Sequence, residues 1–151
     1  MAVDVLTETV IARPKSEVAA FAADPSNAPA WYVNIKSVEW KSEPSVRVGA
    51  RAEFVAHFLG RHMAYTYELV EFTPDERLVM RAAEGPFPME TTYTWESAGE
   101  GSTRMTIRNR GEPNGFSRLL APVMSMVMRR ANNKDLARLK ALLEPHAGRG
   151  V

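Results

Sequence analysis

The sequence predicts one α+β domain, in which a curved antiparallel sheet of seven strands is covered on one face by a long C-terminal helix. Three observations lead to this fold class: an opening segment rich in β-branched residues, six further strand-like segments between residues 33 and 110, and an amphipathic segment over 113–144. Evenly spaced strands with short connections are typical of an antiparallel meander. We assign residues 1–151 to a single domain, with 146–151 as a flexible tail.

The first third of the chain predicts one strand followed by two short helices. Val3–Ile11 is partly alternating and β-branched, as strands are. Pro14 suits the first turn of a helix, and Asp24-Pro25 ends that helix and begins a second one that finishes near Trp31.

The middle of the chain predicts six strands, because each break between them contains Gly, Pro or Asp. The helix that follows spans about 114–144, and Pro122 marks either its true first turn or a kink. The predicted strands are 35–42, 50–58, 61–72, 77–83, 89–96 and 103–110.

One hairpin has a predicted register. If Leu59-Gly60 is a two-residue turn, His57 faces His62 and Phe54 faces Tyr65, whereas a bulge at Gly60 would shift this register. One face of the pair is then apolar and the other polar, so the sheet is expected to be covered on one side only.

Composition and charge exclude several classes of protein. Lys and Arg number 19 against 18 Asp and Glu, so the net charge of +1 gives no reason to expect nucleic acid or an anionic membrane as a partner. The apolar runs are too short for integral membrane association, and the N-terminus lacks the features of a secretory signal. Because cysteine is absent, disulfides and thiolate chemistry are excluded, and we expect a cytoplasmic protein.

No catalytic set, metal site or cofactor motif is evident. There is no Gly-x-Ser-x-Gly elbow, phosphate loop or dinucleotide fingerprint. His57 and His62 face each other across the predicted hairpin, but a metal needs at least a third ligand, so we expect no metal there. We assign no catalytic residue and no cofactor.

The order of elements and several short motifs identify a resemblance over the whole chain. It resembles the START-like (SRPBCC) superfamily, in particular its polyketide cyclase/dehydrase-like branch. The resemblance implies a helix-grip fold with an internal cavity, but no particular reaction. The motifs that carry it are residues 12–18 with Phe21, Asp24-Pro25, Trp31, 48–50, 58–61, 74–78 and 135–140.

Side chains alternate between the two faces of a strand and recur along one stripe of a helix. This pattern predicts which residues line that cavity. The polar groups among them, Tyr65, Tyr67 and Tyr93 together with Thr91 and Asn109, suggest a ligand with a carbonyl, a hydroxyl or an aromatic ring. The expected ligand-binding residues are Trp31, Phe54, Tyr65, Tyr67, Met80, Met89, Tyr93, Met105, Ile107, Leu120, Met124 and Val127.

Three functions remain open at this point, in a protein that is a monomer or a homodimer. The first is binding or carriage of a small hydrophobic molecule, and the second is a polyketide cyclase- or dehydratase-like enzyme. The third is an interaction module whose cavity is filled. An Arg, Asp or His in the cavity favours the enzyme, a dry apolar cavity favours the carrier, and a volume below ~300 Å³ favours the module.

Overall fold

A computed structural model describes residues 3–58, 60–84, 88–111 and 120–144. Its seven strands form one antiparallel sheet in the order β1-β7-β6-β5-β4-β3-β2, so the predicted meander and its fold class are confirmed. The strands are β1 (Val3–Ile11), β2 (Ile35–Trp40), β3 (Arg51–Phe58), β4 (Arg61–Thr73), β5 (Arg77–Glu84), β6 (Met89–Ser97) and β7 (Thr103–Gly111).

Three α-helices complete the fold. The short helices α1 (Lys15–Ala23) and α2 (Ala28–Trp31) follow β1, separated by a 3-10 turn over Pro25–Asn27. The long helix α3 (Ala121–Leu143) follows β7 and has Pro122 in its first turn. Pro122 therefore marks the helix start, because its ring fixes φ and its missing N–H costs nothing there. The predicted helical residues 114–119 and the predicted tail 146–151 lie outside the described residues.

The predicted hairpin register between β3 and β4 is confirmed. Phe54 pairs with Tyr65 and His57 with His62. The imidazole rings of His57 and His62 stack with centroids 4.2 Å apart on the convex face of the sheet. Because side chains alternate, the neighbouring Phe54 and Ala56 point to the concave face, toward α3.

Helix α3 covers the concave face of the sheet and also the free edge of β1. Leu136 and Leu139 are almost completely buried in the main core, which also contains Met105 and Ile107 of β7. Arg129 Nη1 donates to the Leu6 carbonyl oxygen at 3.0 Å. Lys140 Nζ donates to that of Val10 at 2.6 Å. These two cations satisfy carbonyl groups that an edge strand otherwise leaves open to another chain.

Helix α3, the longest helix of the fold, carries polar residues throughout its length. No helix in the described ranges is long and apolar enough to cross a membrane.

Replacing Leu136 by alanine is expected to destabilise the fold by ~2–5 kcal/mol, because Leu136 is 1% exposed and its loss leaves a cavity under α3. Leu142→Ala is the matched control, since Leu142 is 44% exposed on the same helix and its loss should change stability by less than ~0.5 kcal/mol. Urea unfolding of both variants measures the difference. Equal destabilisation by the two substitutions would contradict this packing of α3.

Candidate functional site

A cavity of about 150 Å³ lies between α3 and the concave face of strands β3 to β7. Its wall is mostly apolar, with four methionines and several aromatic rings, and its polar groups come from α3, β4, β6, β7 and the segment after α2. The wall residues are Tyr32, Asn34, Ile35, Phe54, Ala56, Met63, Tyr65, Tyr67, Met80, Met89, Thr91, Tyr93, Asn109, Met128, Ala131, Asn132 and Asp135.

The cavity exists because α3 does not follow the sheet across its whole width. The helix makes extensive contacts with the edge strand β1, and its residues Leu136 and Leu139 share the main apolar core with Met105 and Ile107. Strands β3 and β4 belong to the opposite half of the sheet, where the hairpin contributes Phe54, Ala56 and Met63 to the wall. A twisted and curved sheet cannot keep its entire inner face against one straight helix, so space remains on that side.

The two ends of the cavity differ in polarity. Tyr93 and Asp135 lie beside the main core, whereas Met89 belongs to a second apolar cluster with Val3 and Met124. Tyr93 and Met89 are four residues apart on β6, which corresponds to about 13 Å. Asp135 and Met128 are seven residues apart on α3, about 10 Å. Strand β6 and helix α3 therefore run along the same direction of the cavity. Tyr93 and Asp135 lie at one end, and Met89 and Met128 lie at the other.

Tyr32 and Tyr93 form the centre of the polar end. Their hydroxyl groups are hydrogen-bonded to each other. Burial raises the pKa of both phenols well above its usual value, so both hydroxyls stay protonated at physiological pH. Trp31 packs behind the pair, with its ring centroid 4.2 Å from that of Tyr32 and 5.8 Å from that of Tyr93. The two hydroxyls therefore provide a fixed and uncharged hydrogen-bonding group at this end of the cavity.

Asp135 is the one acidic residue among the wall residues that the structure describes. Its side chain is almost fully buried, and its Oδ1 accepts a hydrogen bond from the Val33 backbone N–H at 2.8 Å. Burial raises the pKa of the carboxyl group to about 7, although the Val33 bond and the charge of Arg138 both favour ionisation. Near neutral pH the carboxyl group is therefore present in both protonation states, and it can donate or accept a proton.

A second group of polar side chains lies on the sheet between the two ends. The Thr91 hydroxyl donates to Asn109 Oδ1 at 2.7 Å. Burial raises the pKa of Tyr67 to about 12 despite a hydrogen bond with Thr91. From the helix, Asn132 adds a buried amide whose Nδ2 has no hydrogen-bond partner in the described structure. All five polar groups predicted to face inward, including Tyr65, lie on the wall.

The position of Met89 depends on a glycine of the neighbouring strand. Met89 pairs with Gly111, and a Cβ atom added at Gly111 would collide with the Met89 sulfur and with the Pro88 carbonyl oxygen. The missing side chain of Gly111 therefore provides the space that the Met89 thioether occupies at the apolar end of the cavity.

Half of the predicted ligand-binding residues lie on the cavity wall, and all of these come from the sheet. The alternation of side chains explains their common position, because every second side chain of a strand lies on the same face. They are Phe54, Tyr65, Tyr67, Met80, Met89 and Tyr93.

The predicted helical part of the wall is wrong by about two turns. Leu120 is 45% exposed, and Met124 is buried against Val3 and Met89 instead of facing the cavity. Val127 is half-buried and also lies off the wall. Because the described helix begins at Ala121, its first two turns cover the β1 end of the sheet, and the residues over the gap are Met128, Ala131, Asn132 and Asp135.

The three remaining predicted residues are core residues. Met105 and Ile107 are fully buried in the main core, which also contains Leu136 and Leu139 of α3. Trp31, expected to close one end of the cavity, is also fully buried and lies behind Tyr32 and Tyr93. The alternation of side chains places Met105 and Ile107 on the concave face of the sheet. It does not show where along that face the helix and the sheet separate.

Sequence reasoning missed Asp135 and Tyr32. The signal for Asp135 was its spacing, four residues after Ala131 and four before Leu139, which places it on the buried stripe of α3. An acidic residue at such a position marks a candidate functional group. Tyr32 directly follows Trp31, but it belongs to no periodic element, so no pattern placed it on the wall.

The stacked His57 and His62 lie outside the cavity. Within the described part of the chain, no group of three or more His, Cys, Asp or Glu residues is arranged to hold a metal ion.

The sequence matches one protein family along most of its length. The model of the family described as "Polyketide cyclase / dehydrase and lipid transport" matches residues 2–144. This agrees with the resemblance identified from the short motifs. No curated protein has a matching sequence.

Solved structures share the fold over nearly the whole chain. A protein from Thermus thermophilus is 22% identical, with a TM-score of 0.81, and the match covers 95% of this chain and 98% of that one. The Zhui aromatase/cyclase from a Streptomyces species is 14% identical with the same TM-score of 0.81, covering 95% and 94%. A START superfamily protein from Mycobacterium smegmatis is 11% identical with a TM-score of 0.78, covering 94% and 97%. At these identities the likeness shows the fold alone.

The raised pKa of Asp135 predicts a pH-dependent stability. Between the usual value of 3.8 and the native value of about 7, the native state binds one more proton than the unfolded chain. The free energy of unfolding should therefore fall as pH rises through this window and level off above it, by roughly 2–4 kcal/mol in all.

Asp135→Asn is the test variant, because its amide oxygen can still accept the Val33 hydrogen bond. The difference in free energy of unfolding between this variant and the parent should shift in favour of the variant from pH 5 to pH 8, by about the amount given above. Chemical unfolding at several pH values measures the difference. Parallel pH profiles for the two proteins would show that Asp135 has an ordinary pKa.

Proposed function

The chain belongs to the polyketide cyclase/dehydrase and lipid transport family, and we propose that it binds a small, neutral, mostly apolar molecule with one hydroxyl or carbonyl oxygen. The observation that carries this proposal is the polarity of the cavity, with Tyr32, Tyr93 and Asp135 at one end and Met89 and Met128 at the other. In this proposal the oxygen atom of the ligand lies beside the tyrosines and Asp135, and its apolar part lies beside Met89 and Met128.

The volume of the cavity limits the size of the ligand. About 150 Å³ is below the ~300–1,000 Å³ of most ligand sites, and this alone favours a filled interaction module. However, an apolar cavity of about this size is large enough for a single aromatic ring. Met63, Met80, Met89 and Met128 also have flexible side chains that can rearrange around a larger molecule. A one-ring ligand fits the cavity as it stands, whereas a polyketide chain requires it to expand.

The protonation states at the polar end favour a neutral ligand. Both tyrosine hydroxyls remain protonated, and below pH 7 the buried Asp135 carboxyl group is mostly neutral. A carboxylate on the ligand would be desolvated beside Asp135, with no cation among the described residues of the wall to compensate for its charge. A hydroxyl or carbonyl oxygen avoids this cost, because it needs only one or two hydrogen bonds.

A second candidate function is an enzyme of the cyclase or dehydratase kind, and Asp135 favours it. A carboxyl group with a pKa of about 7 can protonate a carbonyl oxygen and take a proton from the adjacent carbon, which is the enolisation common to such reactions. Acetophenone in deuterated water is a minimal probe, since its methyl protons exchange through the enol. Faster exchange with the parent protein than with Asp135→Asn supports catalysis, and equal rates in both support binding alone.

Phenol and toluene, which have nearly the same shape, test the binding proposal. We expect phenol to bind more tightly, because its hydroxyl group finds partners at the Tyr32–Tyr93 pair or at Asp135. A cavity without a usable polar end would prefer toluene, because burying an unpartnered hydroxyl group is unfavourable. Amide chemical-shift titrations measure both affinities. Binding of neither compound would instead support the filled interaction module.

Met128→Trp should abolish phenol binding by filling the methionine end of the cavity. Met126→Trp is the matched control, since Met126 is on the same helix but is 57% exposed and lies outside the cavity. Both variants should remain folded, although overpacking can cost the Met128 variant roughly 1–3 kcal/mol. Phenol binding retained by a folded Met128→Trp protein would place the ligand elsewhere.

A further inference from the structure

The side of α3 that points away from the sheet carries exposed apolar and cationic residues together. Val123, Met126, Arg130 and Lys134 follow one another at spacings of three or four and form a single stripe, which we call the outer face. Val123 is 52% and Met126 57% exposed, although neither residue is charged or polar. The apolar half of the stripe lies toward the helix N-terminus and the cationic half follows it.

The cations of the outer face have no counter-charge. Neither Arg130 nor Lys134 has an ion-pair or hydrogen-bond partner in the described ranges. Arg129 beside them is also exposed, and it donates to a neutral backbone carbonyl, so its charge is not compensated. Asp135 is the one acidic residue of α3, and it is buried on the opposite side.

Several cations on the convex face of the sheet, in contrast, are paired with carboxylates. Arg81 lies 2.9 Å from Glu90, Arg104 lies 3.0 Å from Glu96, and Arg108 lies 2.7 Å from Asp4. The net charge of +1 is therefore not evenly distributed, because several cations of the sheet are paired with carboxylates whereas those of the outer face are not. The outer face of α3 is a local region of positive charge that the net charge of the chain does not reveal.

We propose that the outer face of α3 binds the surface of an anionic lipid bilayer. The cations attract the anionic headgroups, while Val123 and Met126 reach into the boundary between headgroups and acyl chains. The outer face belongs to a single convex helix and has no aromatic residue. It therefore lacks the buried aromatic anchors typical of the centre of a protein–protein interface.

The position of the cavity agrees with this orientation. Met128 and Ala131, on the same helix, line the cavity and are only half-buried, so the cavity wall approaches the surface beside the outer face. Docking through α3 brings this part of the wall near the bilayer, where an apolar ligand concentrates. The docking itself requires no ligand, so it is tested separately from the proposed binding function.

Co-sedimentation with vesicles tests the proposal. The protein should bind vesicles of phosphatidylcholine mixed with phosphatidylserine, should bind pure phosphatidylcholine weakly, and should be released from the mixture at ~0.5 M NaCl. Each cation near an anionic surface contributes about 1 kcal/mol, or roughly fivefold in affinity, so Arg130→Glu/Lys134→Glu should weaken binding by more than tenfold.

The matched control is Lys36→Glu/Arg51→Glu, which makes the same change in net charge at exposed positions on β2 and β3. It should retain most of the binding if the outer face is the contact surface. Equal losses in the two double variants would mean that only net charge matters, which overturns the proposal. No binding of the parent protein to the anionic vesicles also overturns it, and would direct the search to an acidic protein partner.

Discussion

The polar end of the cavity depends on the burial of the Asp135 carboxyl group. An ionised carboxylate loses much of its hydration at this position, and one backbone hydrogen bond from Val33 does not compensate for that loss. The group responds by holding its proton up to a pH of about 7. The Val33 bond also joins α3 to the segment after α2, so the same carboxyl group helps to fix the wall in which it lies.

Two requirements on α3 determine where the cavity forms. The helix must cover the apolar face of the sheet, and it must also protect the free edge of β1, which it does through Arg129 and Lys140. Meeting the second requirement holds the helix on the β1 side, so the sheet is left partly uncovered toward β3 and β4. The cavity is thus a consequence of how one helix covers both an edge and a concave face.

Most of the fold could be predicted from the sequence, because local patterns determine it. Turn residues separated the strands, and every predicted strand end lies within two residues of the observed one. The β3–β4 register followed from a two-residue turn at Leu59-Gly60, and the structure has the same pairs. Strand parity also gave the sheet side of the cavity, since it requires only that side chains alternate.

The helical side of the site could not be predicted in the same way. An apolar stripe shows which side of α3 is buried, but not which turn lies over a gap and which over a packed core. Met124 and Met128 have the same chemistry and lie on the same stripe, yet only Met128 reaches the cavity. Asp135 was overlooked because the stripe was defined by its apolar members, although an acid among them was its most informative residue.

A crystal structure with 4-bromophenol tests the central claim about the cavity most directly, because anomalous scattering locates the bromine without ambiguity. The hydroxyl group and the bromine are at opposite ends of this molecule and so report its orientation. The account predicts bromine at the methionine end, near Met89 and Met128, with the hydroxyl group within hydrogen-bonding distance of the Tyr32–Tyr93 pair or Asp135. Bromine beside Asp135, or an empty cavity at saturating ligand, would contradict it.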